Sequence, residues 1–147
     1  MRGKFALAAM AMIAVPAAAP ARHPAHSCPA QPPRHAAPER VLQCWGKAIE
    51  ARNWHLVRAY WGQHGAESTQ SAPAFAAAWA VLKTPHVIIG KGEGDGAMGS
   101  TYFTAPVTIR DGARTLSGNV VLRACNHVPG CTAEDLRWHI YSSEIKP

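Results

Sequence analysis

The hydrophobic period of this chain changes at His86, and no other feature constrains its fold as strongly. Before that residue, apolar side chains recur every three or four positions, which is the spacing of an amphipathic helix. After it, apolar and polar residues alternate, which is the spacing of a half-buried strand. The two periods occupy separate parts of the chain, so the sequence predicts an α+β domain.

Three helices are predicted before His86. The first begins at Pro38, and its apolar stripe consists of Val41, Cys44, Trp45, Ala48 and Ile49. Asn53 is predicted to cap a second helix over residues 54–61, which Gly62 ends. Ser71 is predicted to cap a third helix, with Pro73 in its first turn.

Four antiparallel strands are predicted after the helices, over residues 86–89, 101–109, 115–125 and 136–141. Asp111-Gly112 is typical of a hairpin turn. The glycine-dense residues 90–99 are interpreted as a flexible connection. In the last strand, alternation predicts that Leu136, Trp138 and Ile140 face the core. It places Arg137, His139 and Tyr141 on the opposite face.

The first 21 residues have the pattern of a secretory signal peptide. Arg2 and Lys4 precede an apolar run, and small residues allow cleavage after Ala21. The run is shorter than the roughly 20 residues of a membrane span, so no stable membrane anchor is expected after processing. We therefore predict a periplasmic or secreted protein, with a Pro/Ala/His-rich linker over residues 22–37 and one domain over residues 38–147.

The chain has four cysteines, and disulfides are the default expectation in an exported protein. Cys125 and Cys131 bracket a segment with a Pro-Gly turn signal and are predicted to pair. Cys28 is then predicted to pair with Cys44. The alternative is that Cys44, on the apolar face of its helix, is a buried free thiol. Lipidation of Cys28 is disfavoured, because Ala25 stands where an aliphatic residue is required.

Composition and motifs argue against several functional classes. The formal net charge is +6, but the basic residues are scattered, whereas a nucleic-acid-binding protein concentrates them. The linker residues His23, His26, Cys28 and His35 match no zinc spacing, so no metal is predicted. Residues 94–99 match a dinucleotide-binding string, but a strand and not a helix follows them. No cofactor is therefore predicted.

The order of elements resembles the nuclear transport factor 2-like superfamily, which includes ketosteroid isomerases and polyketide cyclases. Residues 49–61 resemble the break where the family's first helix turns into a cone. Residues 136–142, with Trp138 and Ile140, resemble its final strand. The resemblance implies three N-terminal helices packed on a curved, cone-like, four-stranded antiparallel sheet, with a cavity between them.

That cavity would be lined by aromatic residues and one histidine. The candidates are Trp61, Trp79, Tyr102, Phe103, Trp138 and His139. The alternative is that the aromatic side chains fill the core, as buried aromatic residues mostly do. Family members commonly dimerise through an exposed sheet face, so the resemblance also implies a homodimer. The residues predicted on that face are Tyr102, Thr104, Thr108, Asn119, Arg123, Arg137 and Tyr141.

We expect an exported, non-catalytic domain that binds a small apolar ligand or a protein partner in the cell envelope. Isomerases of the family need a carboxylate base inside an apolar cavity. None of the nine acidic residues falls within an apolar alternation, which argues against catalysis. The alternatives are an isomerase- or cyclase-like enzyme that uses the same cavity, and a structural component of an envelope assembly.

Overall fold

A computed structural model describes residues 28–29 and 35–147 of the chain. The predicted signal peptide lies outside the described residues, as does most of the predicted linker. Within the described ranges, no helix is both long enough and apolar enough to cross a membrane.

The helices lie in the middle of the chain. They are α1 (Pro38–Glu50), α2 (Trp54–Ala59) and α3 (Ala72–Trp79), with a 3₁₀ turn (Ala66–Ser68) between α2 and α3. Both predicted caps form. The Leu56 N–H donates to Asn53 Oδ1 at 3.1 Å, and the Ala74 N–H donates to Ser71 Oγ at 3.3 Å. These contacts satisfy backbone donors that have no partner inside a helix.

The strands form one antiparallel sheet. They are β1 (His86–Ile89), β2 (Glu93–Ala97), β3 (Ser100–Asp111), β4 (Arg114–Cys125) and β5 (His139–Ser143). The order across the sheet is β1-β3-β4-β5, and β2 also pairs with β3. Asp111 pairs with Arg114 in the β3–β4 hairpin, which leaves a two-residue loop. Gly112 has a φ of +60° there, as the first position of a type II′ turn requires.

The predicted fold class is wrong in two respects. The sheet described here has five strands instead of four, because β2 lies within residues 90–99, which were interpreted as a flexible connection. Glycine offers no side chain to bury, so β2 shows no apolar alternation and all of it is exposed. Its backbone nevertheless pairs with the half of β3 that β1 leaves uncovered. The helices also lie mid-chain, after the low-complexity stretch, instead of at the N-terminus.

The core lies between the helices and one face of the sheet. The buried residues of α1 include Leu42, Trp45 and Ile49, and none of the three is exposed. The sheet contributes Phe103, Ala105, Val107 and Ile109 from β3, Val120 and Leu122 from β4, and Ile140 from β5. The alternation predicted for β3 and β4 is therefore confirmed. The domain is a mixed α+β fold.

Both predicted disulfides are present. Cys28 pairs with Cys44 of α1 across a Cα–Cα distance of 5.3 Å, and Cys125 pairs with Cys131 across 6.0 Å. No cysteine is left free, so the alternative of a buried Cys44 thiol is wrong. The first bridge ties the start of the described chain to α1. The Tyr60 hydroxyl donates to the Pro29 carbonyl at 3.2 Å and holds the same segment.

The strand predicted over residues 136–141 begins only at His139. His139 and Ile140 pair with Arg123 and Leu122, so they face opposite sides of the sheet, as the alternation predicts. His139 is nevertheless only 8% exposed. The register shift between Val121 and Leu122 comes after Ile140, where Tyr141 has no partner on β4. Trp138 lies just before the strand and is half-buried.

Candidate functional site

The six residues predicted to line a pocket are distributed over several surfaces of the described structure. Trp79 is 4% exposed and packs against Phe75, Trp54 and Trp45, with ring centroids 5.6, 6.0 and 6.1 Å away. These rings lie together in the layer formed by the helices. Trp79 therefore mainly fills the core, and it also borders the groove described below.

Tyr102 and Phe103 are neighbours on β3 and face opposite sides of the sheet. Phe103 is buried and forms the floor of an open depression between α1 and the β1–β2 connection. That depression has a volume of about 470 Å³, and Glu39, Gln43 and Lys91 stand around it. Its lining is as polar as it is apolar, which does not suit a purely apolar ligand.

Trp61, Trp138 and His139 do come together, at a depression of only about 20 Å³. That volume holds about one water molecule. Trp61 and Trp79 also border a larger open groove of about 460 Å³ between α3 and β5. Polar residues of the 3₁₀ turn, including Glu67 and Ser68, form part of its wall.

His139 is a buried titratable side chain that lines the smallest of these depressions, at 8% exposure. Its Nδ1 lies 3.0 Å from the Arg137 carbonyl oxygen, and its Nε2 lies 3.7 Å from Glu67 Oε2. Gly62 permits this approach. A Cβ at position 62 would overlap the Glu67 carboxylate and lie 2.8 Å from His139 Cδ2.

The centre of the sheet face opposite the helices is uncovered by described residues, whereas Ser100 and His139 at one end of this face are 5% and 8% exposed. Along its centre, Thr104, Pro106 and Asn119 are exposed. One end carries a cluster of two tyrosines and an arginine. The rings of Tyr102 and Tyr141 meet edge to face with centroids 5.7 Å apart, and Arg123 Cζ lies 5.7 Å from the centroid of Tyr141. The Arg123 Nε donates to Ser100 Oγ at 3.1 Å, which fixes the guanidinium.

The strand register places an acidic residue on one side of Tyr102 and a basic residue on the other. Asp95 of β2 pairs with Tyr102 on one side, and Arg123 of β4 pairs with it on the other. Directly paired residues project from the same face of a sheet, so Asp95, Tyr102 and Arg123 form a transverse row on the uncovered face. We call these three residues the Asp–Tyr–Arg row.

The described ranges contain few other clusters of metal-binding or titratable side chains. Residues 28–29 and 35–147 contain no group of three or more His, Cys, Asp or Glu side chains that could hold a metal ion. Two further His–Glu pairs stand at the surface. His64 Nε2 lies 3.0 Å from Glu134 Oε2, and His86 Nδ1 lies 3.0 Å from Glu50 Oε1.

Comparison with known proteins gives no relative: no protein-family model, curated protein or solved structure matches the chain. The resemblance to the nuclear transport factor 2-like superfamily therefore stays a prediction. The candidate site is therefore identified from its own residues and contacts, and not from a relative.

Sequence alternation placed Tyr102, Arg123 and Tyr141 on one face, and the structure brings them together. Arg137, predicted on that face, lies instead in the segment before β5. Sequence reasoning missed Asp95, because β2 was not predicted. It also missed Glu67, which lies between the predicted second and third helices. No local pattern could pair Glu67 with His139, 72 positions away in the sequence.

Proposed function

We propose that this protein is an exported, non-catalytic protein-binding domain whose uncovered sheet face docks a second copy of the chain. The observation that carries the proposal is the Asp–Tyr–Arg row, which is complementary to itself. The proposal includes a periplasmic or secreted location. Two disulfides are compatible with such a compartment, and the signal pattern of residues 1–21 favours it.

The face has the composition of a protein interface. Tyr and Arg are the residues most enriched where binding energy concentrates, and here they form one cluster. The surrounding Thr, Asn and Ser side chains supply hydrogen-bonding groups without a strong charge. The depressions between the helices and the sheet are open and partly polar, so they favour a small apolar ligand less well.

Symmetry explains why a second copy fits. Strands β2 and β4 flank β3 at equal spacings of about 4.8 Å. A two-fold axis parallel to β3, between two packed faces, places β2 of each copy over β4 of the other. Asp95 then faces Arg123 twice, once on each side of the two Tyr102 rings. Two-fold interfaces require such self-complementary patches, and twisted sheets pack face to face at about 30°.

The size of the face is at the lower limit for a specific interface, about 600 Å² on each partner. Strands β3 and β4 are each 12 residues long, whereas β1, β2 and β5 have 4, 5 and 5 residues. At about 3.3 Å per residue and about 4.8 Å per strand, the five strands give a face on the order of 600 Å². A standard interface buries about 800 Å² on each partner.

Charge reversal tests the proposal. The mature wild-type chain is expected to form a dimer whose mass by light scattering depends on concentration, and which weakens as salt is added. Asp95→Arg opposes two positive charges at both symmetric positions, and Arg123→Asp opposes two negative ones. Each should raise the dimer dissociation constant by about tenfold or more. The double variant Asp95→Arg/Arg123→Asp restores both pairs and should restore the dimer.

The matched control is Glu39→Arg, which makes the same charge change on the helical side and should leave the dimer intact. Thermal unfolding of every variant shows whether its fold is kept. A wild-type chain that is monomeric at all concentrations would overturn the second copy as partner. A photo-crosslinking residue at Tyr141 that captures a different protein, while one at Lys47 captures none, would then identify that protein as the occupant.

An isomerase- or cyclase-like enzyme is the second candidate, and buried His139 beside Glu67 is the observation in its favour. A base oriented by a carboxylate is a common catalytic arrangement. This function requires the small depression at Trp61 and Trp138 to open around a ligand. Chemical shifts of the two indole N–H groups, recorded during titration with small apolar cyclic ketones, test it. Saturable shifts lost in His139→Ala would favour the enzyme over the binding domain.

A further inference from the structure

The sequence contains the tripeptide Asp-Gly-Ala twice, and the fold gives the two copies different surroundings. Asp95–Gly96 lies within β2, whereas Asp111 ends β3 and Gly112 begins the turn to β4. In such a sequence the peptide nitrogen of the glycine can attack the side-chain carboxyl carbon of the aspartate and close a cyclic imide, a succinimide. Glycine places no side chain in the path of this attack. Because the local sequence is the same, a difference in reactivity between the two sites must come from the fold.

At Asp95, the attacking nitrogen and the carboxyl group are already in contact. The Gly96 N–H donates to Asp95 Oδ1 at 2.7 Å. The loop between β2 and β3 has two residues, so Ala97 and Ser100 form a hydrogen-bonded pair. The next pair along the strands, Gly96 with Thr101, is then not hydrogen-bonded. The Gly96 N–H therefore points away from β3, to the open edge of β2, where the carboxylate of its own neighbour accepts it.

Strand β2 also leaves room for the ring to close. It pairs with β3 alone, and all of its residues are exposed. A Cβ at Gly96 would meet no atom within 4 Å, so the space beside this peptide group is open. Segments with few buried contacts open locally at a low cost in free energy. Rotation of the Asp95–Gly96 peptide group, which the attack requires, therefore disturbs little of the fold.

At Asp111, groups from another part of the chain already hold the carboxylate. The Thr84 and Lys83 backbone N–H groups donate to its two oxygens at 2.6 and 3.0 Å, and the Thr84 hydroxyl donates at 3.3 Å. These donors hold the pKa of the Asp111 carboxyl below its usual range. Ring closure expels water only from a protonated carboxyl group. A carboxylate that is kept ionised and fixed in place therefore reacts slowly.

We propose that Asp95 is a site of spontaneous modification, at which Asp95–Gly96 isomerises to isoaspartate through a succinimide while Asp111–Gly112 is protected. The Gly96 nitrogen forms a bond to Asp95 Cγ, the Cγ–OH bond breaks, and the hydroxyl leaves as water with the amide proton. Water then opens the ring. Hydrolysis at the former main-chain carbonyl gives isoaspartate, whereas hydrolysis at Cγ returns aspartate. The water lost in the first step is regained in the second, so no other reactant is needed.

Isomerisation changes both the backbone and the charge of β2. The main chain of isoaspartate runs through the former side chain, so it gains a methylene group, and the carboxylate moves onto Cα. The register that pairs Asp95 with Tyr102 and Ala97 with Ser100 can then no longer be kept on both sides of the change. The Asp–Tyr–Arg row also loses the carboxylate that would face Arg123 of a second copy. This last consequence rests on the proposed function, whereas the modification itself does not.

Peptide mapping of the mature, disulfide-bonded chain tests the proposal. The chain is kept for several weeks at neutral pH in heavy-oxygen water, at a concentration low enough for any dimer to dissociate. We expect isoaspartate to form about tenfold or more faster at residue 95 than at residue 111, because only Asp95 is positioned for attack. It should carry heavy oxygen from the water that opens the ring. The reduced, denatured chain is the reference, in which both sites should react at similar rates.

Two variants serve as controls at the reacting dipeptide. Asp95→Glu keeps the charge, but its longer side chain closes a ring far more slowly, so modification at residue 95 should disappear. Gly96→Ala places a methyl group beside the attacking nitrogen and should slow the reaction there. In both variants the slow rate at Asp111 should be unchanged.

Three results would contradict the proposal. They are equal rates at Asp95 and Asp111 in the folded chain, no isoaspartate at residue 95, and isoaspartate there without heavy oxygen. None of them bears on the charge-reversal test of the dimer, since peptide mapping reads the covalent structure of one chain and light scattering reads its association.

Discussion

At the scale of single residues, the absence of a side chain at position 62 determines how closely two polar groups approach. Gly62 lies where the chain leaves α2, and the Glu67 carboxylate and the His139 ring occupy the space that a Cβ would need. The His–Glu contact and the course of the segment therefore both depend on glycine there. The requirement is steric, because Gly62 does not have a positive φ.

Gly62→Ala is expected to destabilise the fold by about 1–3 kcal/mol, since the new methyl group must displace packed neighbours. Denaturant unfolding at neutral pH measures the change. Gly96→Ala is the control, because a Cβ there meets no atom within 4 Å and should shift stability by less than about 0.5 kcal/mol. Equal losses of unfolding free energy in Gly62→Ala and Gly96→Ala would contradict the steric explanation.

Asp111 connects the β3–β4 hairpin to the chain between α3 and β1. The backbone N–H groups of Thr84 and Lys83 donate to its carboxylate at 2.6 and 3.0 Å, and they hold the pKa of the Asp111 carboxyl below its usual range. A lowered pKa means that the folded state favours the charged carboxylate. Its contribution to stability is therefore present above the unfolded-state pKa and is lost as pH falls through the folded-state value.

Asp111→Asn should lower the melting temperature at neutral pH and have progressively less effect as pH falls from about 4, the unfolded-state pKa, through the lowered folded-state pKa of the wild-type carboxyl. Melting curves of both proteins across this pH range test the prediction. A difference in melting temperature that stays constant with pH would show that the charge is not responsible.

At the scale of helices and strands, the elements with strong local signals were the ones that could be predicted. Asn53 and Ser71 marked the helix starts, and alternation gave the buried faces of β3 and β4. Strand β2 could not be predicted, because glycine carries no apolar pattern and its pairing depends on β3. The burial of His139 depends on the approach of Gly62 and Glu67 to its ring, which also has no local signal.

The same distinction applies to the candidate site. Tyr102, Arg123 and Tyr141 share a face because strand alternation is local, so the sequence could group them. Asp95 joins them only through the unpredicted β2. The contact between Glu67 and His139 requires the tertiary fold to bring two loops together. Long-range pairs of this kind leave no period in the sequence.

The two helix caps offer a test at this scale. Asn53→Ala and Ser71→Ala should each reduce the free energy of unfolding by about 1 kcal/mol, because each leaves a backbone N–H at a helix start without its acceptor. Denaturant unfolding measures both. Asn53→Asp and Ser71→Asp retain an acceptor and should stay close to wild type. If the aspartate variants lose as much unfolding free energy as the alanine variants, the cap residues stabilise the fold through another contact.

At the scale of the whole molecule, the two disulfides act on different parts of the fold. The Cys28–Cys44 bridge spans 16 positions and fixes the incoming chain against α1, the helix with the most buried residues. Cys28 packs on the core, and Cys44 is 3% exposed. The Cys125–Cys131 bridge spans 6 positions and closes a surface loop between β4 and β5. Because the Cys28–Cys44 bridge closes the larger loop and is more deeply buried, it should contribute more to the stability of the fold.

We expect Cys28→Ala/Cys44→Ala to lower the free energy of unfolding by about 3 kcal/mol from the loss of loop closure alone, with a further loss from the buried sulfur atoms. Cys125→Ala/Cys131→Ala should cost about 2.4 kcal/mol in the same chain-entropy estimate. Guanidinium unfolding of both double variants, beside the wild-type chain with and without reductant, separates the contributions. Reduced wild-type protein should have a lower free energy of unfolding than either variant, because it lacks both disulfides. A larger loss from the Cys125–Cys131 pair would mean that the surface loop, and not the attachment of residues 28–29 to α1, contributes more to the stability of the fold.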